Sequence, residues 1–300
     1  MTSRPNDLRT AVVGLGPMGM RHVCAAADMA DSKLVAVVDV DQARANEIAK
    51  QFNCQAFYDA ADLIGHVDAA TIATPPAFHA AAAVTLLSAG ISCLIEKPLA
   101  MTEGDCVAII QAAEKTNAVV AVGQIERFNP ATEVLFAVGI KNNHIRCINV
   151  QRLSPAGGRQ VAVDVVSDMM IHDLEIVLAL KQSDVVAITA EGVLDNWAKA
   201  ELTFADGTSA QLNANRKADT RIRGLALQTT HGAYHLDFIG RTVTHKTHDI
   251  TQSLAVGEHD ALRAEIADFL DAVRTRTPPR VTAQDALRAM RVAWKIIEAI

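Results

Sequence analysis

The stretch Thr10-Ala11-Val12-Val13 running into Gly14-Leu15-Gly16-Pro17-Met18-Gly19 constrains the fold more than any other part of the chain. A short apolar strand enters a GxGxxG turn and leaves it as a helix. The first glycine permits the tight turn, the second lets backbone approach a pyrophosphate, and the third allows close helix packing. Pro17 suits the first helical turn, where its missing N–H is not needed. The free N–H groups of that turn make an anion site. A second apolar run, Leu34 to Val38, ends in Asp39, twenty residues beyond Gly19, where a ribose-binding acid belongs. Together these features predict a dinucleotide site built from Gly14, Leu15, Gly16, Pro17, Met18, Gly19 and Asp39.

Asp39 also selects the dinucleotide. A carboxylate beside a 2′-phosphate costs roughly 4 kcal/mol per unit charge at ~4 Å and an effective dielectric near 20. That is on the order of a thousandfold in affinity. Asp41 adds acid and no arginine immediately follows Asp39, so the cofactor is read as NAD; Arg44 is the one nearby residue that softens this.

Strands and helices then alternate. A helix from Gln42 to Phe52 precedes strands at Gln55–Tyr58 and Ala69–Ala73; Thr74-Pro75-Pro76-Ala77-Phe78-His79 opens an alanine-rich helix. The paired prolines stiffen a loop able to wall a flat ring, so Thr74, Pro75 and His79 join the cofactor candidates; His79 could equally cap and pack its own helix. The apolar run Ile91–Ile95 ends in Glu96-Lys97-Pro98, followed by a helix Glu103–Lys115 and a strand Val119–Gly123 that runs into Gln124. Six strands alternating with helices predict a doubly wound parallel sheet. Its carboxyl edge is where ligands bind, which places Glu96, Lys97 and Gln124 at the site.

Beyond about residue 130 the pattern becomes strand-rich: Ile145–Leu153, Val185–Gly192, Ala198–Phe204, Ser209–Asn215, Gly224–Thr230 and Tyr234–Ile239. Asp206-Gly207 is a hairpin signal. Ala200, Leu202 and Phe204 alternate with Lys199, Glu201 and Thr203, which predicts an open antiparallel sheet covered on one face. Apolar stripes at Leu262, Ile266, Phe269, Val273 and at Leu287, Met290, Trp294, Ile297 are expected to cover it. The expected division is a Rossmann domain over 1–125 and a substrate-binding and oligomerisation domain over 126–300. Two domains also suit 300 residues.

One helix of this half carries Asp168 and His172, four apart on one face among Val165, Met169, Ile176 and Leu180. A buried Asp–His pair of this kind is as readily structural as catalytic. No third metal ligand stands at suitable spacing, so no metal is expected. Five scattered cysteines without a CxxC read as free thiols. A net charge of −6 gives no reason to expect nucleic acid or an acidic membrane as partner. No signal pattern or spanning run is present, and the expected location is the cytoplasm.

Taken in order, GLGPMG with Asp39, Glu96-Lys97-Pro98, and Asp168-x-x-x-His172 beside a strand-rich domain resemble the glucose–fructose oxidoreductase / inositol dehydrogenase / MocA family. The resemblance covers essentially the whole chain. It implies oxidation or reduction of a sugar, cyclitol or sugar nucleotide in a cleft between the domains, and a homodimer or homotetramer. It places the catalytic lysine on Lys97 and its aspartate and histidine on Asp168 and His172. The stretches 122–130 and 164–173 are further similar to the UDP-N-acetylglucosamine 3-dehydrogenase branch, implying a sugar nucleotide oxidised at its 3-hydroxyl. Two departures stand out: Gln124 where that branch implies a histidine, and no Gly-Gly before Asp168.

For the proton step, an unperturbed lysine near ~10.4 needs lowering by ~3.4 units, roughly 4.6 kcal/mol, whereas histidine near ~6.5 needs almost nothing. His172 is therefore read as the base, Lys97 as the ammonium that stabilises the alkoxide, and Asp168 as the orienting group. Desolvation of the lysine would exchange the first two roles. A diphosphate calls for arginine, with Arg127, Arg152 and Arg159 as candidates and Arg216 nearby. The competing readings are a dehydrogenase of a free sugar or inositol, and a non-catalytic NAD-binding regulator.

Overall fold

The apolar run that enters the glycine turn forms β1 (Leu8–Val13), buried over its last four residues in the computed structural model, which describes residues 8–157 and 163–300. Helix α1 (Pro17–Asp28) follows, then β2 (Ser32–Val38), α2 (Gln42–Phe52), β3 (Gln55–Phe57), β4 (Ala69–Ile72), α3 (His79–Ser88), β5 (Ser92–Glu96), α4 (Glu103–Thr116) and β6 (Val120–Gly123). The strands make one parallel sheet in the order β3-β2-β1-β4-β5-β6. The order reverses between β1 and β4, the switch point at which such sheets bind ligands. Strands β4, β5 and β6 are buried at every residue, as strands covered on both faces must be. Local signals set the helix ends: Asp41 and Thr102 cap the starts of α2 and α4, and left-handed Asn53 and Asn117 end them.

The second compact unit begins at Ile125. It holds α5 (Pro130–Ala137), β7 (Ile145–Leu153), α6 (Ile171–Lys181), β8 (Val185–Val193), β9 (Trp197–Phe204), β10 (Ser209–Asn215), β11 (Ile222–Thr229), β12 (Gly232–Asp237), β13 (Thr242–Lys246) and β14 (Thr251–Leu254). Its sheet runs β14-β13-β12-β11-β7-β10-β9-β8, antiparallel throughout except where β10 lies parallel to β7. The alternation read in β9 is observed: Ala198, Ala200, Leu202 and Phe204 are buried, whereas Lys199 and Glu201 are exposed. Strands β13 and β14 were not anticipated, because their exposed polar residues carry little apolar periodicity.

The carboxyl-terminal helices depart from expectation. α7 (Ala261–Thr275) and the start of α8 (Ala283–Ala299) fall, over residues Leu262–Leu287, in the first unit. There Arg263 pairs with Asp28 and Thr282 bridges Ala121 of β6. Only the later part of α8, with Ala289, Met290, Val292, Ala293 and Ile296, joins the second core. The single boundary at 125/126 is therefore incomplete. An apolar stripe states that a helix face is covered, not which element covers it.

Candidate functional site

In the first unit, the sequence candidates converge on the carboxyl edge of the parallel sheet. Gly14 takes φ +89°, and a Cβ there would lie 2.7 Å from the Thr74 amide. A Cβ on Gly19 would collide with the Gly14 carbonyl, so α1 packs against the turn only with glycine there. Gly16 faces open space, where a pyrophosphate would approach the backbone. Pro17 occupies the first turn of α1, and no side chain caps that helix. The Leu15 side chain is buried among Val12, Val23 and Val37, so its contribution to a ligand is main-chain only. Met18 is half-buried on the first turn. Asp39 accepts from the Leu15 amide at 2.7 Å and the Asp41 amide at 2.9 Å, which fixes its carboxylate beside the glycine turn.

Thr74 and Pro75 follow β4. His79 is fully buried, with Nδ1 2.9 Å from the Pro98 carbonyl and Nε2 2.9 Å from the Thr74 carbonyl. Burial holds its pKa below the ordinary value, so the neutral ring donates to one of the two. Of the two roles open to His79, these bonds describe the packing one: the ring ties the Thr74 loop to the Pro98 loop from within. Glu96 is nearly buried and accepts from His22 Nε2 at 2.8 Å and from the Lys97 amide at 3.3 Å. Gly123 makes room for it, since a Cβ there would come within 3.3 Å of the Glu96 carboxyl. Lys97 is half-buried, and its bond to Pro98 is cis. Gln124 is buried at the end of β6.

These residues fit a dinucleotide. The uncapped helix turn, the open space over Gly16 and the fixed Asp39 suit pyrophosphate and ribose. Thr74 Oγ1 and Gln124 Oε1 are buried at the same edge without hydrogen-bond partners, and a bound polar group would satisfy both.

In the second unit, Asp164 accepts from the Val166 and Ser167 amides and starts a π-helical turn, Val166–Met170, that leads into α6. Asp168 lies in this wide turn and His172 in the α-helix after it. Both are half-buried. Arg216, at the end of β10, reaches the Val163 carbonyl through both terminal nitrogens at 3.1 Å and Asp168 Oδ2 at 3.3 Å. By sequence Arg216 is a candidate only for phosphate, and nothing in the spacing points to its pairing with Asp168.

Two other arginine candidates have partners within the second unit. Arg152 is 2% exposed and holds Asp173 through Nε and Nη2 at 2.7–3.1 Å and Glu126 at 2.9 Å. Burial disfavours its charge, but Asp173 and Glu126 more than offset that and raise its pKa. Its fork is engaged inside the unit. Arg127 bonds Glu175 at 2.8 Å and lies over the Phe136 ring. These pairs explain how α6, apolar on nearly every side, carries Asp173 and Glu175 inward. Arg159 lies outside the described residues.

Residues 8–124 match the GFO_IDH_MocA family model, described as "Oxidoreductase family, NAD-binding Rossmann fold". The UDP-N-acetylglucosamine 3-dehydrogenase of Acidithiobacillus ferrooxidans is 32% identical over 98% of this chain and 97% of that protein. The chain belongs to the Gfo/Idh/MocA oxidoreductase family. Crystal structures of the Acidithiobacillus enzyme match it with TM-scores of 0.93 and 0.94 over 98% of both chains. The Rhizobium meliloti inositol 2-dehydrogenase is 24% identical over 98% of this chain and 97% of its own. An aldose-aldose oxidoreductase from Caulobacter crescentus shares the fold with TM-score 0.87 at 19% identity. As a Gfo/Idh/MocA member the chain is an oxidoreductase with an NAD-binding Rossmann unit. No described helix is long and apolar enough to cross a membrane.

Proposed function

We propose that this Gfo/Idh/MocA member oxidises a sugar nucleotide with NAD, taking the 3-hydroxyl of UDP-N-acetylglucosamine to the ketone, with Lys97, Asp168 and His172 as its catalytic groups. The observation that carries the reading is the near full-length relation to the Acidithiobacillus 3-dehydrogenase. When bound, NAD supplies the hydride acceptor. The alcohol must lose its proton as hydride leaves carbon, and His172 takes that proton. Lys97, as ammonium, stabilises the developing alkoxide. Asp168, held by Arg216, orients the group that moves the proton. Arg127, Arg152 and Arg159 are the candidates for the diphosphate, and the first two also hold Glu175, Asp173 and Glu126. Self-association as a dimer or tetramer belongs to the same proposal, through the outer sheet face that carries Asn149, Gln151, Glu191, Lys199 and Glu201; light scattering would give the mass.

The test follows NADH absorbance with UDP-N-acetylglucosamine, free N-acetylglucosamine and myo-inositol. Turnover is expected with the nucleotide sugar alone, and H172A is expected to lose about 10²–10⁴-fold in kcat at pH 7. Comparable turnover of a free sugar or inositol would replace the substrate assignment. NAD binding without turnover of any sugar would favour the regulator. Full activity of H172A would remove the histidine base.

A further inference from the structure

Beneath the Glu96–Lys97 turn, the returning helix α7 contributes a carboxyl group that the proposed chemistry does not use. Glu265 is 2% exposed, and neither of its carboxyl oxygens has a hydrogen-bond partner. One of them lies within 4.8 Å of both a ring nitrogen of His22 and a carboxylate oxygen of Glu96. We propose that Glu265 is a positioning residue for Lys97, carried as a neutral acid that shares its proton with the Glu96 carboxylate.

Two buried carboxyl groups this close do not both ionise. Glu96 already accepts from His22 and from the Lys97 amide, so the negative charge belongs there. Glu265 receives no donor, so the proton belongs on it. The charged and titratable groups around Glu265 are Glu96 on β5, Asp268 on α7 and Arg21 on α1, with His22 beside Glu96; His79 on α3 also feels Glu96. Burial, Glu96 and Asp268 hold the Glu265 pKa well above the carboxylate range, against Arg21. No hydrogen bond joins the two carboxyl groups as they stand, so sharing the proton requires Glu265 to turn toward Glu96. Ionised, Glu265 would instead repel Glu96 and loosen its hold on the Lys97 amide.

Raised in the folded state, such a group contributes stability that is present below its unfolded pKa and lost as pH climbs toward the folded value. E265Q keeps the shape without the titration. Its melting temperature is therefore expected to match the native enzyme near pH 4.5 and to exceed it by about 3 °C or more at pH 8. The second readout is the rate of Lys97 acylation against pH, followed by peptide mass spectrometry. E265Q is expected to overlay the native profile, whereas E265A departs by about threefold or more; if E265A does not fold, E265L keeps the volume and serves instead. Kinetically, E265A lowers kcat with KM for NAD within about twofold, and E265Q restores it. That last arm alone rests on the catalytic reading of Lys97; melting and acylation need no sugar, so a wrong substrate leaves them intact. A melting gap that does not change with pH, or acylation slowed equally in E265Q and E265A, would overturn the proposal. So would stabilisation by Zn²⁺ that is present in the native enzyme and lost in E265Q, since the three side chains would then be holding a cation.

Discussion

Replacing Asp39 separates the two jobs assigned to it. Its carboxylate accepts from the Leu15 and Asp41 amides at 2.7 and 2.9 Å, which leaves lone pairs for ribose hydroxyls. A hydrogen bond to a charged acceptor contributes about 1.5–3 kcal/mol, so D39A should weaken NAD about 10- to 150-fold. For NADP the ceiling is ~4 kcal/mol of repulsion removed, and screening at a half-buried position lowers it to about 2 kcal/mol, a gain of about 30-fold. The NAD-to-NADP preference should therefore fall by at least about 300-fold, the product of the two smaller factors. D39N isolates the charge, because its side-chain oxygen still accepts from Leu15. Isothermal titration with each dinucleotide measures all three proteins. NAD affinity within about threefold of native in D39A, with no gain for NADP, would refute the placement of Asp39 at the ribose.

The glycine turn gives a matched pair of variants: G19A, whose Cβ meets the Gly14 carbonyl, should lose both NAD binding and several degrees of melting temperature, whereas G16A, facing open space, should weaken NAD and leave melting unchanged. R152A strands Asp173 in the interior, leaves Glu126 with Asn129 and Arg223 alone, and should cost about 3–5 kcal/mol in urea unfolding. A pure rise in KM for the sugar nucleotide, with native stability, would instead return Arg152 to the substrate. Lys181 and Thr208 hold the Asp206 carboxyl down to about 2. Its contribution is present above the unfolded value and lost as pH falls through the folded one, so the melting difference between native and D206N should be constant above pH 5 and shrink toward pH 2.

The dinucleotide half was legible because its requirements fall on backbone. A positive φ at Gly14 and a close approach at Gly19 leave no alternative residue, and Asp39 sits at a strand end that the apolar run defines. What stayed hidden depends on partners distant in sequence. Arg152 looked available for phosphate because Asp173 and Glu126 reach it only once β7 and α6 pack. The apolar stripe of α7 was plain, yet its return to the first unit, which brings Glu265 to Glu96, is a tertiary fact that no local pattern encodes. The π-turn at Val166–Met170 likewise reads as ordinary helix, because its extra residue is accommodated by surrounding packing. His79 shows the middle case: its placement at the end of the Thr74–Pro75 loop was readable, but whether its ring faced ligand or main chain was not.

The central claim is tested most directly by UDP-N-acetylglucosamine carrying deuterium at carbon 3, incubated with the native enzyme and NAD. NADH one mass unit heavier is expected, with a slowed initial rate where hydride transfer limits turnover and a ketone that has lost the label. Label retained in the sugar while NADH forms would move the oxidation to another carbon, and no NADH with this substrate would contradict the assignment outright.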